Sequence, residues 1–155
     1  MLEKRKILEV CIKVQQKKIE DLEKALRRIK QEVIDAPTSR QSWSDTTRFQ
    51  QGNLALTVEN SLQEAKSALS QIRTISNDVK DTIFIGSLFI LNNVDTGEVE
   101  KYLLIPKGGG DSFSVGDEEI ILISAEAPLV KLLLGKKKGD KVAFRDRTLE
   151  VVDVR

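Results

Sequence analysis

A regular apolar stripe in the first third of the chain constrains the fold more than any other feature. Its members are spaced alternately four and three residues apart, which is the heptad pattern of a coiled-coil helix. The stripe contains one polar residue, and its positions are Leu8, Ile12, Gln15, Ile19, Leu22, Leu26, Ile29 and Val33. Pro37 should end this helix, because proline lacks a backbone donor and disfavours helical geometry in the residue before it.

A second stripe follows a polar break that reads "PTSRQSWSDTTRFQQG". It again alternates steps of three and four residues, at Ala55, Val58, Leu62, Ala65, Leu69, Ile72, Ser76 and Val79. Two such stripes joined by a short segment predict two helices that fold back on each other as an antiparallel coiled coil. We therefore assign residues 1–79 to a coiled-coil hairpin, with its tip at about residues 36–47.

The break between the stripes is longer than a helix connection requires, and its length suggests a function at the tip. It also places two aromatic residues, Trp43 and Phe49, at the extremity of the hairpin. A structural explanation is equally open. Ser44 or Asp45 is suited to cap the second helix, and the aromatic rings could close the hairpin by packing on the last stripe residues.

Past Val79 the pattern changes to the alternation typical of β-strands. "DTIFIGSLFILNN" and "EVEKYLLIP" predict strands joined by a turn, whereas "KGGGDSFSVGDE" predicts a mobile loop. A strand at Ile120–Ser124 and a short helix at Pro128–Leu134 follow, with Gly135 just past the helix end. The helix is leucine-rich enough to be cupped by the sheet, through Leu129, Leu132, Leu133 and Leu134. The chain is thus predicted to be α+β, with residues 80–155 forming a small β-sheet domain wrapped around a short helix.

Composition removes several classes of function. The chain has no histidine, which excludes Ser-His-Asp catalysis and histidine-containing zinc sites. The single cysteine, Cys11, cannot form an internal disulfide, and no apolar run reaches the ~20 residues of a membrane span. The formal net charge of +1 gives no reason to expect nucleic-acid binding by the chain as a whole. We expect a soluble cytoplasmic protein without membrane contact that is not a self-contained enzyme.

Three segments of the second half, "FIGSLFIL", "ISAEAPL" and "LLGKKKGD", resemble the motifs "GS.V.L", "IS..SP" and "LLGK..GD" of the bacterial Gre transcript-cleavage factors, GreA and GreB, in the same order. Over residues 1–79 the resemblance is one of architecture only. It implies an FKBP-like C-terminal domain that docks on the rim of the RNA polymerase secondary channel, while the coiled coil reaches toward the active site. The docking residues it implies are Glu126, Ala127 and Pro128, with Ala127 where the family usually has serine.

The same resemblance gives the hairpin tip a chemical role. In the Gre factors an acid is followed three residues later by another acid, and together they help the polymerase to use a second magnesium ion. Asp45 matches the first acid, as a catalytic and metal contact to Mg²⁺ held mainly by the polymerase. The second position is Arg48. Trp43, Ser44, Arg48 and Phe49 are the further implied channel contacts, and the protein needs no cofactor of its own.

The resemblance implies a transcription elongation regulator that modulates transcript cleavage or the rescue of backtracked complexes, or alternatively a non-cleaving inhibitor or competitor of Gre factors. Other classes remain open. A prolyl isomerase would need an aromatic-lined pocket, whereas most aromatic residues of the second half fall at predicted core positions of strands. A dimerising adaptor is disfavoured by the small stripe residues Ala55, Ala65 and Ser76, which suit a monomeric hairpin. The lysines and arginines of the first helix leave nascent RNA open as a partner.

Overall fold

The structure, a computed structural model, describes residues 3–35 and 42–155, with side chains for residues 3–32, 50 and 52–155. Two long helices precede a six-stranded sheet and one short helix, which confirms the predicted α+β class. The helices are α1 (Lys4–Asp35), α2 (Ser42–Arg73) and α3 (Pro128–Leu133). The strands are β1 (Leu88–Asn93), β2 (Val99–Ile105), β3 (Ser112–Val115), β4 (Glu118–Ser124), β5 (Lys141–Phe144) and β6 (Arg147–Val154).

The chain divides into two compact units, and the division falls inside both long helices. One unit joins the first helical turns, up to Val14, with Ala68–Arg155. The other unit is Gln15–Ser67 and contains most of the hairpin. A domain boundary between residues 79 and 80 stays a prediction.

The unit Gln15–Ser67 consists of two antiparallel helical arms, as the stripes predict. Exposed ion pairs among the described residues connect the arms, including Lys30 to Glu59 at 3.1 Å and Glu23 to Lys66 at 3.7 Å. Exposed pairs of this kind contribute ~0 to 1 kcal/mol each, so most of the stabilisation comes from the apolar stripes. The stripe residues of this unit are buried or half-buried wherever side chains are described: Gln15, Ile19, Leu22, Leu26, Ile29, Ala55, Val58, Leu62 and Ala65.

Helix α2 begins earlier than predicted. It starts at Ser42, so that only residues 36–41 separate it from α1, and the prediction of an unusually long turn is wrong. Ser44 and Asp45 accordingly lie within its first turn, not at the capping position before it. An acid in the first turn is favourable by itself, because the helix N-terminus carries a partial positive charge.

Helix α2 also ends earlier than the stripe predicts, at Arg73, so Ser76 and Val79 lie outside it. Two hydroxyl groups satisfy local backbone atoms at this end. Thr74 Oγ1 donates to the Gln71 carbonyl at 2.7 Å, and Ser76 Oγ accepts from the Asp78 amide at 2.9 Å. Such bonds compete with helical hydrogen bonding and favour termination.

The sheet has the strand order β3-β4-β2-β1-β6-β5 and is mixed. β2 and β4 are parallel, and the other neighbouring pairs are antiparallel. β3 lies within the segment predicted to be a mobile loop, and that prediction is wrong. Phe113 and Val115 alternate with exposed serines in this strand and are buried, which is the pattern of an edge strand with one face on a core.

The glycines of the same segment have a structural explanation. Gly109 has a φ of +98°, and a Cβ there would lie 3.0 Å from the Leu122 carbonyl oxygen and 3.0 Å from the Ser124 amide nitrogen. The Gly110 amide donates to the Leu122 carbonyl at 2.9 Å. Glycine is needed because the backbone passes directly against β4.

Both faces of the sheet are covered. On one face α3 inserts Leu129, Val130 and Leu133 into a core with residues of β1, β2, β5 and β6, as predicted for a sheet wrapped around a helix. On the other face the ends of the two long helices supply Ile7, Leu8, Cys11 and Ile72. They pack with seven buried sheet residues: Leu88, Leu103, Ile105, Phe113, Val115, Ile120 and Leu122. The hairpin ends are therefore part of the second core of this unit.

Candidate functional site

The loop between β4 and α3 holds Glu126, Ala127 and Pro128 in a fixed conformation. Ser124 anchors it, since its Oγ accepts from the Glu126 amide at 3.1 Å and its carbonyl accepts from the Ala127 amide at 3.0 Å. The loop thus leaves β4 through a tight turn built on one serine. Glu126 and Pro128 are exposed at its surface.

Ala127 occupies the N-cap position of α3, with φ −63° and ψ 138°. Its carbonyl accepts from the Val130 and Lys131 amides at 3.0 and 3.3 Å, but it has no side-chain oxygen to cap the helix. Its methyl group is half-buried against the core under α3. The predicted docking loop therefore consists of two exposed residues on either side of a packed alanine, with Pro128 in the first turn of α3.

Only one side of helix α3 packs on the sheet. Leu129, Val130 and Leu133 are buried, whereas Lys131 and Leu132 face solvent. The prediction that Leu132 and Leu134 are cupped by the sheet is wrong, because they are 45% and 43% exposed. Leu132 is exposed because it lies four residues after the exposed Pro128 and therefore on the same side of the helix.

The predicted tip residues lie outside the described side chains. Trp43, Ser44, Asp45, Arg48 and Phe49 all belong to the first two turns of α2 by their backbone. Positions 45 and 48 are separated by about one helical turn, so an acid and a base replace the two acids that the resemblance implies. Their roles as metal and channel contacts stay predictions.

Three titratable groups with altered pKa values lie in the described part of the sheet unit. Burial raises the pKa of the Cys11 thiol to about 12. Burial and the hydrogen bond from Tyr102 Oη to Glu100 raise the pKa of that phenol. Burial lowers the pKa of Lys4, whose ammonium donates to the Asp78 carbonyl at 3.2 Å, with Asp78 opposing the shift and Lys80 adding to it. Each group has a structural role in the packing of this unit.

Most aromatic residues of the second half are in the core, as predicted. Phe89 and Tyr102 are buried and stacked, with ring centroids 5.3 Å apart, and Phe113 is buried on the opposite face. Phe84 is the exception, at 47% exposed. Rings that are stacked inside a core are not available to line a proline-binding pocket, which weighs against the isomerase hypothesis.

Among the residues whose side chains are described, 3–32, 50 and 52–155, no group of three or more His, Cys, Asp or Glu side chains is arranged to hold a metal ion. None of the helices in this part of the chain is both long and apolar enough to cross a membrane. In the part of the chain that the structure describes with side chains, the candidate site is the surface of the β4–α3 loop, and the tip contacts stay a separate prediction.

Comparison with known proteins identifies the family. Residues 78–155, which include β1 to β6 and α3, match the family described as "Transcription elongation factor, GreA/GreB, C-term". The chain belongs to the GreA/GreB family. The matched region contains the whole sheet and the β4–α3 loop, so the resemblance recognised from three short motifs is confirmed.

Individual members of the family are similar over most of the chain. "Transcription elongation factor GreA" of Mesomycoplasma hyopneumoniae (strain J) is 27% identical over 168 residues, covering 96% of this chain and 99% of the relative. The protein of the same name from Streptococcus pyogenes serotype M5 is 29% identical over 133 residues, covering 79% of each chain. A crystal structure of "GreA factor homolog 1 (Gfh1) protein of Thermus thermophilus" is 15% identical and covers 96% of this chain and 92% of that one, with a TM-score of 0.38.

Proposed function

We propose that this protein is a transcription elongation factor that docks on RNA polymerase by its C-terminal domain and inserts its coiled coil into the secondary channel. There it modulates transcript cleavage or the rescue of backtracked complexes. The family match over residues 78–155 is the observation that carries the proposal. The GreA relatives similar to nearly the whole length of the chain support it further.

The docking contact is assigned to the β4–α3 loop. Glu126 and Pro128 are exposed there, and the backbone between them is held by Ser124 and by the packing of Ala127. A loop held in one conformation loses little entropy when it binds, so a small contact of this kind contributes effectively to affinity. In the proposal the factor acts as a monomer in the cytoplasm.

Any chemistry in the proposed complex belongs to the polymerase. Asp45 would contribute one carboxylate near magnesium that the polymerase holds, and the protein is not itself an enzyme. Magnesium binds carboxylate oxygens and keeps several waters, so a single additional acid can orient a water or complete a coordination shell. Trp43, Ser44, Arg48 and Phe49 are assigned to contacts with the channel wall or the nucleic acid.

Arg48 favours a second candidate function, which is occupancy of the channel without cleavage. An arginine one turn from Asp45 replaces a carboxylate by a guanidinium, which changes the charge near a divalent cation by two units and removes an oxygen ligand. Such a factor would inhibit cleavage or compete with cleaving Gre factors.

One experiment separates the two candidates. A backtracked elongation complex of the organism's own polymerase is incubated with the protein in magnesium, and cleavage of the RNA 3′ end is followed over time, with Asp45→Asn in parallel. A cleaving factor accelerates the reaction, and the variant loses the acceleration. A channel competitor binds, leaves the intrinsic rate unchanged or lower, and suppresses the activity of an added GreA. Absence of binding would overturn the proposal.

A further inference from the structure

Three large apolar side chains are exposed on the segments that meet at the end of α3, and Lys80 Nζ lies 5.6 Å from the ring centroid of one of them, Phe84. Leu132 and Leu134 are 45% and 43% exposed, and Phe84 is 47% exposed. The chain before β1 runs beside the end of α3, because the Gly135 amide donates to the Ile83 carbonyl at 2.9 Å and the Ile83 amide donates to the Lys136 carbonyl at 2.8 Å. Phe84 and Leu134 each adjoin this paired segment in sequence. Single exposed apolar residues are normal, but a group of them indicates a binding surface.

Exposed lysines lie next to these residues in the chain. The segment that contains them has a net positive charge, whereas the rest of the domain has a net negative charge. Lys131, Lys137 and Lys138 are exposed, and in the part of the chain that the structure describes none of them forms an ion pair with an acid. Residues 126–140 contain four lysines and two acids. The rest of 81–155 contains six lysines and arginines and eleven acids. The positive charge of the C-terminal domain is therefore concentrated around the exposed leucines.

This apolar–basic surface, made of Phe84, Leu132, Leu134, Lys131, Lys137 and Lys138, is continuous with the β4–α3 loop. Pro128 and Leu132 are four residues apart in one helix, so their side chains lie on the same side and about one turn apart. Lys131 precedes Leu132 in the chain, and Leu134, Lys137 and Lys138 follow it. A partner bound at Glu126 and Pro128 would reach Leu132 one helical turn further along α3.

We propose that the apolar–basic surface is the larger part of the docking site, and that its partner is an apolar patch of RNA polymerase bordered by carboxylates. The leucines and Phe84 supply the area removed from water, and the lysines select an acidic partner and accelerate association. The inference rests on the proposed function, since the partner is the polymerase. It assigns most of the affinity to residues outside Glu126–Pro128.

The test measures equilibrium binding of the full-length protein to the organism's RNA polymerase at low and at high salt. One variant combines Leu132→Ser with Leu134→Ser, and its matched control combines Val94→Ser with Val99→Ser, which are exposed apolar residues elsewhere on the sheet unit. A second variant combines Lys137→Glu with Lys138→Glu, and its control combines Lys107→Glu with Arg147→Glu, which are also exposed on the sheet unit. Thermal unfolding of every variant shows that the fold is retained.

We expect the leucine variant to bind at least about tenfold more weakly at both salt concentrations, since apolar burial is not screened. The lysine variant should lose about tenfold at low salt and much less at high salt, because added ions screen exposed charges. Both controls should stay within about twofold of the unmodified protein.

The outcomes separate the inference from the proposed function. If the unmodified protein binds and the leucine and lysine variants bind as well as their controls, the surface plays no part in docking and only the inference fails. If reversing the lysine charges strengthens binding, the partner is not acidic and the inference also fails. If the unmodified protein does not bind the polymerase, the proposed function fails and the inference fails with it.

Discussion

Both faces of the sheet are buried, but by elements that lie at very different distances along the chain. On one face α3 follows β4 after three residues and packs back onto the sheet that it has just left. On the other face Ile7, Leu8 and Cys11 pack with sheet residues about a hundred positions later. A core made by neighbouring elements can be recognised from a local pattern. A core made by distant elements depends on contacts that no local window of sequence contains.

The largest effects should come from truncating one large side chain on each face. Leu133→Ala on the α3 face and Ile72→Ala on the hairpin face remove side chains that are 0% and 1% exposed. Each should lower the free energy of unfolding by about 2–5 kcal/mol, because a cavity adds to the lost transfer free energy. Urea unfolding followed by circular dichroism measures both. Leu56→Ala, at a 56% exposed position of α2, is the control and should change stability by less than about 0.5 kcal/mol.

Leu133→Ala and Ile72→Ala also distinguish the two faces of the sheet by the reactivity of Cys11. This thiol lies in the core that the hairpin ends form with the sheet. Ile72→Ala should accelerate labelling of the thiol by a disulfide reagent under native conditions, whereas Leu133→Ala should affect it far less. An Ile72→Ala variant as stable as the Leu56→Ala control would show that the hairpin ends do not form a core with the sheet.

The next effect is a dependence of stability on alkaline pH that Cys11 should give to the hairpin face. The Cys11 thiol has a pKa of about 12 in the folded protein against an ordinary value of 9.0, because burial disfavours the thiolate. A pKa raised by folding gives a stabilisation that is complete below pH 9 and lost as the pH rises toward 12. Complete loss corresponds to about 4 kcal/mol, at ~1.4 kcal/mol per pH unit.

Cys11→Ala provides the measurement. The variant should be less stable than the unmodified protein at pH 7, and the difference in unfolding free energy should narrow steadily above pH 9, because alanine does not titrate. A difference that stays constant up to pH 11 would contradict burial of the thiol in this core.

Buried polar groups give a third contrast, between the sheet and the long helices. In the sheet, the buried Asn93 accepts from the Asp95 amide at 3.0 Å, so its side-chain oxygen is satisfied. In α1 the Gln15 side chain is 3% exposed, and its Oε1 has no hydrogen-bond partner among the described residues. An unsatisfied buried acceptor costs about 1–3 kcal/mol. Gln15→Leu should therefore stabilise the protein by about that amount.

Differential scanning calorimetry should show the Gln15→Leu stabilisation as a rise in Tm of a few degrees. Gln16→Leu is the matched control, since Gln16 is exposed and its replacement should leave Tm nearly unchanged. A Tm that falls in Gln15→Leu would mean that the amide makes a contact the stripe needs.

The secondary-structure elements could be predicted from the sequence, but not which stripe residues also pack against the sheet. The hairpin follows from periodicity alone, because a heptad stripe leaves few alternatives. The core that the hairpin ends form with the sheet was not predicted, because Leu8 and Ile72 were interpreted only as stripe residues. The first turns of α1 did contain an indication: Ile7 and Cys11 lie beside the stripe, four residues apart, and widen the apolar face only near the start of the helix.

The candidate site shows the same limit. The β4–α3 loop could be predicted because the motif "ISAEAPL" and the helix-start proline occur together. The exposure of Leu132 and Leu134 could not, since a leucine-rich helix next to a strand is most simply assigned to the core. The start of α2 was missed because serine, threonine and tryptophan are weak helix formers, yet helical continuation overrides propensity over two turns.

The smallest effect should appear at the N-cap of α3, on the face whose core the sequence did predict. Ala127 has the backbone conformation of a capping residue but no side-chain oxygen, and the first amides of a helix gain from such an acceptor. Ala127→Ser should stabilise the protein by about 0.5–1 kcal/mol, measured by urea unfolding, while Glu126→Ser at the exposed neighbouring position should change little. Because the loop proposed to dock on the polymerase leads into α3, Ala127→Ser should also leave polymerase binding intact or strengthen it. A serine that destabilises the fold would show that the packing of the Ala127 methyl group against the core contributes more than the missing cap.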